Sequence, residues 1–390
     1  MRGLPRFSRA LTQAPASGIR RIVSAAQARQ AAGLPVYPFH LGEPSFDTPL
    51  AVREAAARAL MEGRTHYAPN AGIPELRQAI AADLSRRYGT SLPAESVVVT
   101  VGACEALTLA LMAVLEPGDQ VLVPTPCWPN YLHLPRLLGA EAVELPARPQ
   151  DGFRPDLVEL ERSITPHTRA IVVNTPNNPT GAMLRRDDLD GLLGLARRRG
   201  LWLICDEIYQ DITFGPSRHI GVLELSAPDD PAILVGGFSK SYAMTGWRLG
   251  YLVASPEHSA QFLKLHQYLV TSATAFAQWG ALEALSAEAE VEAMRQTYQA
   301  RRDRVVETLR RCGIEFVQPE GAFYVFGRVP TAEGGEAFCE RMLREHGLGF
   351  VPGGVFGRDF GDWFRLCFAG PTEELEEGLA ALREAFRVPQ

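Results

Sequence analysis

The chain has 390 residues, of which 46% are hydrophobic and 22% charged, with a formal net charge of −6 and a pI near 5.8. That length supports more than one core, and the composition leaves little room for long disorder. The acidic balance argues against a general polyanion or nucleic-acid binder, and no apolar stretch reaches membrane-span length. Six cysteines without CxxC spacing read as reduced thiols in a cytoplasmic protein, with no metal ligand set assigned.

The start, "MRGLPRFSRALTQAPASGIRR", is arginine-rich and acid-free like a transit segment. It reads instead as a frayed bacterial terminus, because arginine dominates the whole chain. A helix follows over 19–32, and residues 1–47 are expected to join a small C-terminal unit. Pro74 at a first-turn position opens a helix over 74–88. β-branched runs then recur at 96–101, 120–124, 140–146, 169–174, 201–206, 232–237 and 250–255. Helical stretches at 103–115 and at 186–199, the latter closed by Gly200, alternate with them. This alternation predicts an α/β unit over 48–290 with a mostly parallel, seven-stranded sheet. One long helix is expected from about 274 through 312, and residues 291–390 read as a smaller α+β unit.

Ligands of open α/β sheets gather at the carboxyl ends of strands. There "VVVT" feeds Gly102-Ala103-Cys104 at a helix start, a nest for phosphate. "AIVVN" runs into Asn177 and Asn178, while "LWLIC" ends in Asp206, with Tyr209 one turn on if a helix begins there. "AILVGGF" ends in Ser239-Lys240, and Arg248 follows. Lys240 is one of two lysines beside 37 arginines, and only an amine can lose its proton and attack a carbonyl. Lys264 reads as a helix-surface charge. Amine, acid, phenol, amide, arginine and phosphate nest together are the set that pyridoxal phosphate requires.

The segments "LGEPSFDTP", "YAPNAGIPELRQAI", "VTVGACEAL", "NTPNNPTG", "DEIY", "FSKSYAMTGWRLGY" and "FRLCFA" resemble class I, aspartate aminotransferase-like enzymes of pyridoxal-phosphate fold type I, in family order over nearly the whole chain. The resemblance implies that Lys240 carries the cofactor covalently and shuttles the proton, and that Asp206 binds the pyridinium. Tyr209 and Asn178 would bond the ring hydroxyl, and Trp128 would stack on the ring. Arg248, the amides of Ala103 and Cys104, and Tyr67 from a second subunit would hold the phosphate. Arg365, with Gly42 and Asn178, would clamp the substrate α-carboxylate. Two positions depart from the family: Gly237 stands where a small hydroxyl residue is common, so that Ser239 is the alternative phosphate contact, and Cys104 replaces a lysine, serine or threonine.

The implied function is a homodimeric aminotransferase moving an amino group between an L-amino acid and a 2-oxo acid by a ping-pong mechanism. The same site could instead eliminate, replace, cyclise or decarboxylate. A cofactor-sensing regulator would need a DNA-binding module, and only a short segment precedes the family-like region. Ile19, Tyr37, Asn130 and Val355 are candidates for contacting the substrate side chain.

Overall fold

The computed structural model describes residues 7–13, 18–216 and 218–387, so part of the transit-like start lies outside the described residues. Every β-branched run is a strand: β1 Val97–Thr100, β2 Gln120–Thr125, β3 Glu141–Pro146, β4 Thr168–Asn174, β5 Trp202–Asp206, β6 Ala232–Gly237 and β7 Gly250–Val253. They form one sheet in the order β1-β7-β6-β5-β4-β2-β3. Neighbours pair in parallel from β3 through β6, whereas β7 is antiparallel to both β6 and β1. The sheet is therefore parallel apart from β7.

Both faces of this sheet are covered, which is why its strands read as unbroken apolar runs. Leu203 and Cys205 of β5 pack with Leu189, Leu192 and Leu193 of helix Arg186–Arg199, while Ile204 faces Leu107 and Leu111 of helix Gly102–Val114 on the other side. Helix stops follow local chemistry: helix Pro74–Tyr88 begins on its proline and ends at Gly89, and helix Arg186–Arg199 ends at Gly200, both glycines left-handed.

The long helix expected over 274–312 is two helices, Ala275–Ala284 and Glu288–Arg311. The first buries Ala277, Ala281 and Ala284 in the large sheet's core, and the second buries Met294, Tyr298, Val305 and Leu309 in another. One straight rod could not face both, and the chain turns at 285–287. A local periodicity carries no record of which core each turn will meet.

The second core surrounds an antiparallel sheet of β8 Tyr324–Arg328, β9 Val351–Pro352 and β10 Trp363–Cys367, in the order β8-β10-β9. Helices Gly335–His346 and Thr372–Ala385 cover it. The N-terminal segment belongs here: Tyr37 bridges to Leu348, and the Cys367 N–H donates to the Phe39 carbonyl at 2.8 Å. No helix among the described residues is long and apolar enough to cross a membrane.

Candidate active site

The carboxyl ends of the parallel strands converge. Asn174 of β4, Asp206 of β5 and Val235 of β6 stand side by side in register. Because β7 is reversed, its N-terminal end lies at that same edge, where Gly250 pairs with Thr100 on one side and Gly237 on the other. The segment entering β7 carries Arg248, so one antiparallel strand delivers a guanidinium to an edge otherwise built from strand ends.

Asp206 is 2% exposed. Its Oδ2 accepts the Tyr131 hydroxyl at 2.7 Å and its Oδ1 the Ile208 N–H at 3.0 Å. Burial raises its pKa to about 6, and those two hydrogen bonds oppose the rise. Its carbonyl accepts Asn174 Nδ2 at 2.9 Å, and Asn174 Oδ1 accepts the Asn178 N–H at 2.9 Å, so one amide ties the asparagine loop to the acid's strand. The residues after Asp206 form a tight turn and not a helix start. Glu207, buried away from the cavity, explains why: it accepts the Tyr88 hydroxyl at 2.9 Å and the Val222 N–H at 2.7 Å, and lies 2.9 Å from His219 Nε2. With its oxygens satisfied this carboxylate pins the turn. Tyr209 then reaches Tyr324, hydroxyl to hydroxyl at 2.9 Å.

Lys240 Nζ donates to the Gly42 carbonyl at 2.7 Å. Burial lowers its pKa to about 8, and the Arg365 and Arg248 charges act in the same direction. Arg365, in β10, is 2% exposed; it donates through Nη1 to Asn178 Oδ1 at 3.0 Å and through Nη2 to the His40 carbonyl at 2.9 Å. Its guanidinium lies 4.5 Å from the Tyr324 ring centre and 5.0 Å from that of Phe356, and its Nε is buried without a partner. Arg248 sits at the mouth with φ 54 and donates to the Thr245 carbonyl at 3.0 Å. A side chain at Gly102, where φ is +78, would place Cβ 2.5 Å from Arg248 Nη2.

These groups line one cavity of about 300 Å³. Of the residues expected at the site, Gly42, Ala103, Cys104, Trp128, Asn178, Asp206, Tyr209, Ser239, Lys240, Arg248 and Arg365 all line it, and Gly102 lies just beneath Arg248. Tyr67 does not. It is 89% exposed in a separate hollow with Thr65, His66 and residues 272–276. Of the side-chain candidates, Ile19 lines the cavity and Asn130 donates to Cys104 Sγ at 3.4 Å, whereas Tyr37, which bridges to Leu348, and Val355, which packs on an apolar cluster, do not line it. Gly237 has a packing reason: Cβ there would lie 3.0 Å from Ile208 Cδ1 and 3.1 Å from Gly250 Cα. Tyr131, Tyr324, His40 and Thr245 were missed, although Tyr131 stands three residues after Trp128.

The donor set fits pyridoxal phosphate. Arg365, Arg248 and Lys240 are bonded to neutral oxygens, and among the described residues no carboxylate pairs with them. A buried cation that no carboxylate pairs is costly unless a ligand brings the charge. Here they frame a helix start at one end and a buried acid in the middle. Fold and site thus define an enzyme of the pyridoxal-phosphate type.

Comparison with known proteins agrees. The family model described as aminotransferase class I and II matches residues 35–382. The aspartate/prephenate aminotransferase of Thermus thermophilus is 39% identical over 383 residues, covering 97% of each chain. Aromatic-amino-acid aminotransferase 2 of Thermococcus litoralis is 35% identical over 376 residues, covering 95% of this chain and 96% of its own. The solved aspartate aminotransferase from Thermus thermophilus with maleate superposes with a TM-score of 0.93 at 38% identity, covering 98% of this chain and 100% of its own. The chain belongs to the class I and II aminotransferases, with fold type I architecture, and is a pyridoxal-phosphate-dependent aminotransferase acting on amino and 2-oxo acids. Transamination is favoured over elimination, replacement, cyclisation or decarboxylation.

Proposed function

We propose that Lys240 is the covalent anchor and proton carrier of a ping-pong transamination, that Asp206 serves the cofactor's ring nitrogen, and that Arg365 holds the substrate α-carboxylate. The observation carrying this reading is the convergence of the Lys240 amine, the buried Asp206 carboxyl and the buried Arg365 guanidinium, whose Nε has no partner, on one cavity. The cofactor, when bound, supplies an electron sink for the bond broken at the substrate Cα. The protein's part is to place charge and hold protons. Lys240, lowered to about 8, reaches its neutral, nucleophilic form close to physiological pH. Asp206 is fixed by Tyr131 and Ile208, and would balance the positive charge of the cofactor's ring nitrogen.

Tyr209 and Asn178 act on the ring hydroxyl, and Trp128 on the ring face. Arg248, Ser239 and the Gly102, Ala103 and Cys104 amides hold the phosphate. Asn178 accepts from Arg365 and so couples the cofactor side of the cavity to the carboxylate clamp, which includes Gly42. Tyr324 extends the assignment, with its hydroxyl on Tyr209 and its ring under Arg365.

Residues 48–290 form the cofactor-binding unit in this reading, with 1–47 and 291–390 as arm and small domain. The enzyme works as a cytoplasmic homodimer, a reading supported by six free cysteines and by the exposure of Tyr67, which would complete a neighbour's phosphate site. Borohydride reduction of the cofactor-loaded enzyme followed by peptide mapping tests the assignment. The label is expected on Lys240, and Lys240→Ala should lose turnover and the visible absorbance of the bound cofactor. A label on Lys264, or none, overturns it.

A further inference from the structure

The charges of the cavity limit what side chain the substrate can carry. Three lysines or arginines line it, and in the proposed function, on which this inference rests, all three are engaged: Lys240 by the cofactor, Arg248 by phosphate and Arg365 by the α-carboxylate. Among the described residues no fourth lines the cavity. In the single chain the hollow that holds Tyr67, formed with Thr65, His66 and residues 272–276 (Ser-Ala-Thr-Ala-Phe), is lined by no lysine or arginine.

What remains near the mouth favours an uncharged group. Leu41 lines the cavity yet is 42% exposed, an apolar surface awaiting cover, and Ile19 stands on the same wall. Thr245 donates its hydroxyl to Glu43 Oε1 at 2.6 Å, which holds a carboxylate against the rim. His40 is buried, and Arg365 and burial keep it neutral, with its pKa lowered to about 4. An aspartate or glutamate side chain would bring a second carboxylate toward Glu43 with no cation to receive it, and a charge desolvated without a partner is strongly disfavoured.

We infer that this enzyme's side-chain subsite takes uncharged, predominantly apolar substrates, and that dicarboxylic amino acids and their oxo acids are poor partners.

The test is a set of single half-reactions on the cofactor-loaded native enzyme, following loss of the bound cofactor's absorbance with leucine, methionine, phenylalanine, aspartate or glutamate. The best neutral donor should exceed both acidic donors by about tenfold or more in kcat/KM, the lower end of the discrimination that pocket contacts supply. Aspartate or glutamate matching the best neutral donor overturns the inference. Ile19→Arg, which adds a cation to the wall, should raise the aspartate-to-leucine ratio by about tenfold, again on the scale of one paired charge. An unchanged ratio in a folded, cofactor-loaded variant counts against it. Failure of the residue assignment has a different signature, a borohydride label away from Lys240 whichever donor is preferred.

Discussion

Burial moves Asp206 and Lys240 in opposite directions, the acid up to about 6 and the amine down to about 8, because it penalises whichever form is charged. The signs matter for the cofactor-free protein. Asp206 binds its proton more tightly folded than unfolded, so its contribution is fully present below the ordinary carboxylate pKa of 3.8 and is lost as pH rises through about 6. Lys240 binds its proton less tightly when folded, so its contribution is present above 10.5 and lost as pH falls through about 8. Cofactor-free Asp206→Asn should therefore lose less thermal stability than the native chain between pH 4 and 6, as read by calorimetry. Identical slopes would show that Asp206 is not desolvated. In turnover the same variant should be slower by several orders of magnitude, since an amide cannot balance a ring cation, and near-native rates would remove Asp206 from its role.

Asp206 and Lys240 were legible because chemistry-bearing residues at strand tips stand out in the sequence. Tyr131 and Tyr324 were not. Their partners lie 75 and 115 residues away, and an aromatic in an apolar run looks the same whether or not its hydroxyl has a correspondent.

Among the elements, the junction of β1 with helix Gly102–Val114 can be tested by its glycine. Gly102→Ala forces a side chain into φ +78 and into contact with Arg248 Nη2, so cofactor should bind at least about tenfold more weakly in an equilibrium titration. Gly200→Ala is the control: its φ is +64 but nothing lies within 4 Å, so it should lower stability by about 1 kcal/mol and leave cofactor affinity unchanged. Equal effects on affinity would mean that Gly102 is not part of the nest. The strands and the glycine-closed helices were readable because their signals are local. The division of 274–312 between two cores was not, and neither was the reversal of β7, since strand direction is set by the route the chain takes between strands.

For the whole molecule, Tyr67 provides the test of assembly. Its ring is 89% exposed on one chain, and the proposed dimer buries it beside a neighbour's phosphate site. Sedimentation should show a dimer at assay concentrations, and Tyr67→Ala should weaken cofactor retention while leaving the fold intact. A fully active monomer would contradict the shared site. The chain's own closure carries a separate consequence. The cofactor-side groups span 102 to 248, whereas Arg365 is held to the His40 carbonyl across 325 residues of sequence. During synthesis the strand edge proposed to receive the phosphate emerges well before β10 does, and the early arm must wait for that strand. In the proposed assignment a nascent chain would hold its cofactor-side groups before it has a floor for an amino acid, and would gain the power to act only when its last strand threads back to His40.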